Sequence, residues 1–219
     1  RAYDRTLSET SLSDSVQPVS QKSVCKIDNK FYNSIEDAIK NAEADNTIIL
    51  LKDTEEGSLV FDKNLKLIVE NNACIKRKST GHLISIKANV TLTIDGSDKL
   101  TISGENINQE GSLVYLENGA VFNAQNLIFR DNITSLNGGA IYFEASTINI
   151  TNVKFVNNQA LNSSSARFGG AINCNAPRGR ATITNCLFDG NKSNNGGAIS
   201  NKGSITILGS EFVNNEALG

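Results

Sequence analysis

The chain has 219 residues, a net charge of −2, 39% apolar residues and 20% charged ones. This is enough apolar material for one sizeable core, and a charge so near zero gives no field suited to nucleic acid or an anionic membrane. Apolar runs such as 48–51 are too short to cross a bilayer. Four cysteines without CxxC spacing and a single histidine, His82, argue against a zinc centre and against most acid–base schemes.

Residues 1–22 are polar and rich in Ser and Thr, and are expected to form a flexible tail. The absence of Met at position 1 reads as a processed or trimmed start. Residues 23–55 read as an N-terminal cap. A short strand is expected over 24–27, with a turn at Asn29-Lys30. A helix is expected over 34–44, started by Ser34 and carrying one apolar stripe of Ile35, Ala38, Ile39 and Ala42. A lone amphipathic helix ahead of many strands suits a lid over the open end of a strand stack.

From Thr47 onward the pattern is short β segments punctuated by Gly, Asn, Asp and Ser. Residues 56–219 read as an array. Gly138-Gly139-Ala140-Ile141 leads to Phe155 and Asn158. Gly169-Gly170-Ala171-Ile172 leads to Phe188 and Asn191, and Gly196-Gly197-Ala198-Ile199 leads to Phe212 and Asn215. Phe129 and Asn132 form a further Phe-x-x-Asn, and looser units run back through Gly111 and Gly81.

Alignment on Phe129, Phe155, Phe188 and Phe212 gives apolar columns separated by polar ones. Seven residues earlier stand Phe122, Ile148, Ala181 and Ile205, and five earlier stand Ala124, Ile150, Ile183 and Ile207. Such units cannot bury their apolar face singly, and stacking them makes a continuous core. Asn132, Asn158, Asn191 and Asn215 are expected to form an inward ladder in which each amide bonds the next. The paired glycines suit a positive-φ turn or a close backbone approach. The units are too short for propeller blades and lack the Leu-x-x-Leu-x-Leu consensus of leucine-rich repeats.

Gly-Gly-Ala-Ile paired with Phe-x-x-Asn resembles the repeat signature of the polymorphic outer-membrane proteins, bacterial autotransporter adhesins with right-handed parallel β-helix passengers. Residues 31–53 look like the start of many pectin-lyase-like β-helices, where a capping helix runs into the first strand. The resemblance implies an all-β, right-handed parallel β-helix of about six rungs with a short N-terminal capping α-helix. It implies a secreted or cell-surface location and adhesion to a host, cell or matrix partner, protein or glycan. No autotransporter barrel is in the sequence, so a secretion route is not carried over. The repeat stops where another Gly-Gly-Ala would follow, so a longer array and self-association through an uncapped end are expected.

The outward columns hold Ser85, Tyr115, Tyr142, Asn173 and Ser200 on one face and Asn123, Asn149, Thr182 and Thr206 on another. None is acidic, whereas glycosidic-bond cleavage needs paired carboxylates or a calcium-holding set. No enzyme activity, cofactor, metal or nucleic-acid partner is expected. His82 takes a turn position and reads as a solvated outer residue. Tyr115 and Tyr142 are expected to stack. Arg167 in the 162–168 insertion, with Arg178 and Arg180 in or beside the 175–180 insertion, are the candidate partner contacts, because loops carry binding. Cys174 and Cys186 fall on inward columns of one unit, and the pairing of Cys25, Cys74, Cys174 and Cys186 stays open. A carbohydrate-binding or carbohydrate-processing domain and a structural stalk are the alternative readings.

Overall fold

In the strand Thr147–Val156 the buried residues are Ile148, Ile150, Val153 and Phe155. The alternation slips by one place between Ile150 and Val153, because Asn152 takes a left-handed backbone (φ 54°). Asn tolerates that region better than other side chains. The bend turns the strand around a corner, so apolar side chains on both arms point into the same interior. Asn126 (φ 56°) bends the strand Val121–Arg130 in the same way. Asn185 (φ 53°) divides the next coil into Arg180–Thr184 and Leu187–Asp189.

Each coil then passes through a two-residue strand at a corner and a three-residue strand before repeating. In the computed structural model, which describes residues 22–219, these segments stack into a 13-stranded, a 5-stranded and a 6-stranded sheet. The tail expected over 1–22 lies outside the described residues except for Lys22. The chain is a parallel β-solenoid of about six turns with a single short helix among the described residues. Phe129, Phe155, Phe188 and Phe212 are register partners in turn. So are Ile84, Val114, Ile141, Ile172 and Ile199.

Among the described residues, antiparallel pairing occurs only at the start. Strands β1 (Cys25–Ile27) and β2 (Lys30–Tyr32) form a hairpin, and β1 also pairs with β3 (Thr47–Leu50), closing that edge of the first coil. The hairpin turn sits one residue earlier than the Asn29-Lys30 reading, with Asp28 left-handed (φ 51°) and Lys30 already in β2.

Helix α1 spans Ile35–Asn41, shorter than the 34–44 expectation because Ala42 is extended (ψ 146°). Ser34 Oγ accepts from the Asp37 N–H at 3.0 Å, an N-cap bond. Ile35, Ala38 and Ile39 face inward. The first coil continues with β4 (Thr54–Glu56) and β5 (Leu59–Phe61). Buried Glu56 accepts from the Ile35 N–H at 2.9 Å and from Thr54 Oγ1 at 2.8 Å, so its carboxylate meets an otherwise orphaned donor of α1. In the last described coil Ile207, Leu208, Phe212 and Val213 are exposed.

Candidate functional site

The repeated residues lie inside. The rings of Phe129, Phe155, Phe188 and Phe212 stack face to face with centroids 5.4, 4.8 and 4.7 Å apart. The Asn side chains bond along the axis. Asn158 donates its N–H and Nδ2 to Asn191 Oδ1 (3.0 and 3.1 Å), and Asn191 does the same to Asn215 Oδ1 (3.0 and 2.9 Å). Asn158, Asn191 and Asn215 also donate Nδ2 to the carbonyls of Phe129, Phe155 and Phe188. Each ladder Asn follows a left-handed residue, Asp131, Asn157, Gly190 or Asn214, which swings it inward. Asn132, Asn158 and Asn191 are fully buried, so these bonds prevent unpaired amides in the core.

The ladder ends on a charge that sequence reasoning passed over. Arg77 Nη1 donates to Asn132 Oδ1 at 2.9 Å, and its two Nη atoms reach the carbonyls of Gly81, Gly111 and Ser112. Arg77 is 2% exposed, and burial pulls its pKa down to about 10. The signal was present in Ala73, Ile75 and Arg77, whose alternation puts Arg77 on the inward side.

Outside, the six-stranded sheet presents the most distinctive face. His82 is half-buried rather than a solvated turn residue. Its ring stacks on Tyr115 (4.5 Å between centroids), and Tyr115 stacks on Tyr142 (5.8 Å). His82 Nδ1 accepts from the Ser112 N–H at 3.0 Å. Tyr142 OH donates to Glu144 (2.8 Å) and accepts from Asn175 Nδ2, and Lys202 Nζ donates to Asn175 Oδ1 (2.9 Å). Burial and the Glu144 bond push the Tyr142 pKa up to about 12. Asn173, expected outside, is 2% exposed, and its Oδ1 has no hydrogen-bond partner among the described residues.

The three candidate arginines do not meet. Arg167 precedes the strand Ile172–Cys174 and is half-buried, its Nε donating to Ser135 O. Arg178 follows that strand in the turn on the opposite border of the face, Arg180 opens the strand Arg180–Thr184 of the adjoining 13-stranded sheet, and both are exposed. Neither has a side-chain hydrogen bond or ion pair among the described residues. All four cysteines are free thiols. Burial holds Cys25 up to about 12 and also raises Cys74 and Cys186, which disfavours their thiolate forms.

A family profile described as the Chlamydia polymorphic membrane protein repeat matches residues 126–144 and 185–202. Each matched stretch begins just before a Phe-x-x-Asn and ends just after the next Gly-Gly-Ala-Ile. This chain is a polymorphic membrane protein-like β-helix repeat protein. No curated protein and no solved structure matches it. The matched phase joins Phe129 to Gly138, where the sequence reading joined Gly138 to Phe155. In the first matched stretch the two halves touch directly, since Asn132 Nδ2 donates to Gly139 O at 2.5 Å. A repeat of this family points to a surface-exposed outer-membrane protein.

His82 gives this repeat protein an acid-sensitive contact. Burial and the neighbouring Arg77 lower its pKa from 6.5 to about 4. The unfolded chain therefore takes up the proton at higher pH than the folded one. The contribution is full above pH 6.5, is lost as pH falls from 6.5 to about 4, and levels off below. His82→Asn keeps an acceptor near Nδ1 without titrating. The parent is expected to lose on the order of 2 kcal/mol more than this variant between pH 7 and pH 4, discounted for partial exposure. Urea midpoints at the two pH values measure it, and equal losses would clear His82 of the role.

Proposed function

We propose that this chain is a non-catalytic binding scaffold that adheres to a partner at the cell surface through the outer face of its six-stranded sheet. The observation that carries this reading is the contrast between interior and exterior. The repeated Phe, Asn, Gly and Ile positions are consumed by packing and ladder bonds, while the outward column of the six-stranded sheet holds no single residue type, running Ser85, Tyr115, Tyr142, Asn173 and Ser200. That face bears the His82–Tyr115–Tyr142 stack and the Glu144–Tyr142–Asn175–Lys202 chain of hydrogen bonds. It is bordered by insertions at 162–168 and 175–180. Arg178 and Arg180 stand free beside it, and exposed guanidinium groups suit carboxylate- or sulfate-bearing surfaces.

The test is binding of labelled protein to cultured epithelial cells, with the double variant Arg178→Glu and Arg180→Glu. Both side chains are exposed, so the fold should be untouched. Loss of at least roughly tenfold in bound protein at physiological salt is expected, since rim charges act on encounter and register. Binding equal to the parent's would remove the arginine border from the site. Release of unsaturated products from polyuronides by the purified protein would overturn the non-catalytic reading.

A further inference from the structure

The six-stranded sheet ends on β5, and its last edge meets the cap instead of another strand. Leu59 N–H donates to Leu83 O at 2.7 Å, and Phe61 O accepts from Lys87 N–H at 3.0 Å. In a parallel ladder the intervening residues face the other way. The backbone groups of Ser58, Val60 and Asp62 therefore point out of the sheet, and none has a backbone hydrogen bond among the described residues. The neighbouring edge on β3 is closed by β1; the edge on β5 is left to α1.

Helix α1 cannot settle onto that edge, because it is held at both ends. Glu56 binds the Ile35 N–H at one end, and Lys63 Nζ binds the carbonyls of Ile39 and Ala42 at 3.2 Å at the other. A slot of about 260 Å³ remains between helix and strand, lined by Glu36, Ile39, Lys40, Ser58, Val60 and Asp62. Val60 is 40% exposed in it, while Ile39, at 4%, forms its floor. The slot stands where a further strand of the sheet would run.

We propose that this slot binds an extended segment of a partner polypeptide as a seventh strand on β5. An edge of unpaired N–H and C=O groups beside a fixed helix is the arrangement that captures peptides by strand addition. A glycan has no backbone of matching donors and acceptors. The chemistry of the segment follows from the walls. An apolar side chain covers Val60 and Ile39. A basic residue faces the rim, which carries the carboxylates of Glu36 and Asp62 against one ammonium, Lys40, already 2.7 Å from Glu36. Asp62 is 62% exposed, and its nearest cation, Lys63 at 3.5 Å, is committed to the helix carbonyls.

The probe is the blocked hexapeptide acetyl-Lys-Val-Thr-Val-Thr-Lys-amide, titrated into the 15N-labelled protein. Saturable amide shifts confined to 58–62 and α1 are expected, with slowed exchange of the Val60 amide. Val60→Pro removes the outward N–H and leaves the bonds from Leu59 and Phe61 in place, since an edge strand tolerates proline. This variant is expected to melt as the parent does and to show no saturable shift. Asp62→Lys is expected to weaken the Lys-flanked peptide at least tenfold and to favour the same peptide flanked by Glu. The proposal is overturned by absence of saturation up to millimolar peptide, or by unchanged binding in a folded Val60→Pro protein. It is also overturned by a concentration-dependent dimer of the parent that Val60→Pro abolishes, which would give the edge to a second copy.

Discussion

Phe155→Ala is expected to destabilise the solenoid by about 3–5 kcal/mol, the range for emptying a fully buried aromatic site. The Phe155 ring is 0% exposed and lies between Phe129 and Phe188, with interplanar angles of 17° and 7°. Its neighbours sit on strands held in register by backbone hydrogen bonds to the coils on either side. Those coils cannot close the gap without breaking a ladder, so the void persists and two stacked contacts are lost. Phe212 supplies the internal comparison. It has the same partner on one side only and is 47% exposed, so Phe212→Ala should cost about half as much or less. Urea denaturation followed by far-UV circular dichroism measures both. Equal costs would show that position in the stack does not govern the energy.

Gly170→Ala is expected to be among the most damaging one-atom changes. A Cβ there would stand 2.0 Å from Gly197 O and 2.5 Å from Lys192 N, both backbone atoms of the next coil. Overpacking a tight interior costs about 1–3 kcal/mol where side chains can yield, and more where the obstacle is backbone held by its own hydrogen bonds. The column repeats this constraint, since a Cβ on Gly139 would meet Gly170 O at 1.9 Å. Gly81 separates close packing from backbone strain. Its φ is +87° and a Cβ there meets nothing within 4 Å, so Gly81→Ala should cost only about 1–2 kcal/mol of left-handed strain. Melting of the two variants side by side tests this. A Gly170→Ala protein no less stable than Gly81→Ala would mean that the coils can spread apart locally.

These outcomes also separate the glycines of each Gly-Gly-Ala. The first is left-handed, with φ of 68°, 69° and 71° at Gly138, Gly169 and Gly196. The second has a neighbouring coil where a side chain would be. The Ala that follows is buried in all three copies. The motif thus builds a corner.

Where the repeat is regular, the sequence was readable to the level of single columns. The Phe and Ile columns coincide with the observed strand partners because stacking parallel coils puts equivalent positions in contact. Near the N-terminus the motif fades, and β2, β4 and β5 were not separately recognised. Their register comes from the coils beneath them and from the β1 hairpin. The left-handed bends at Asn126, Asn152 and Asn185 were also missed. They lie between apolar positions, and a polar residue there looks like any outward one. Arg167 fell in with Arg178 and Arg180 because insertions look alike in a sequence, yet one strand of the outer sheet keeps them on opposite borders.

By itself the sequence determined the inside of this protein: the solenoid, its apolar columns, its glycine corners and its repeat family. Burial forces the same residue types at the same spacing in every coil, and that periodicity is visible in one chain. Only the tertiary structure decided the polar contacts that close and differentiate the array. Arg77 on Asn132, Glu56 on α1, His82 between Ser112 and Tyr115, and the open edge of β5 each join residues from different coils or from coil and cap. None of them recurs, so no period announces them; they exist only once the coils are stacked in register.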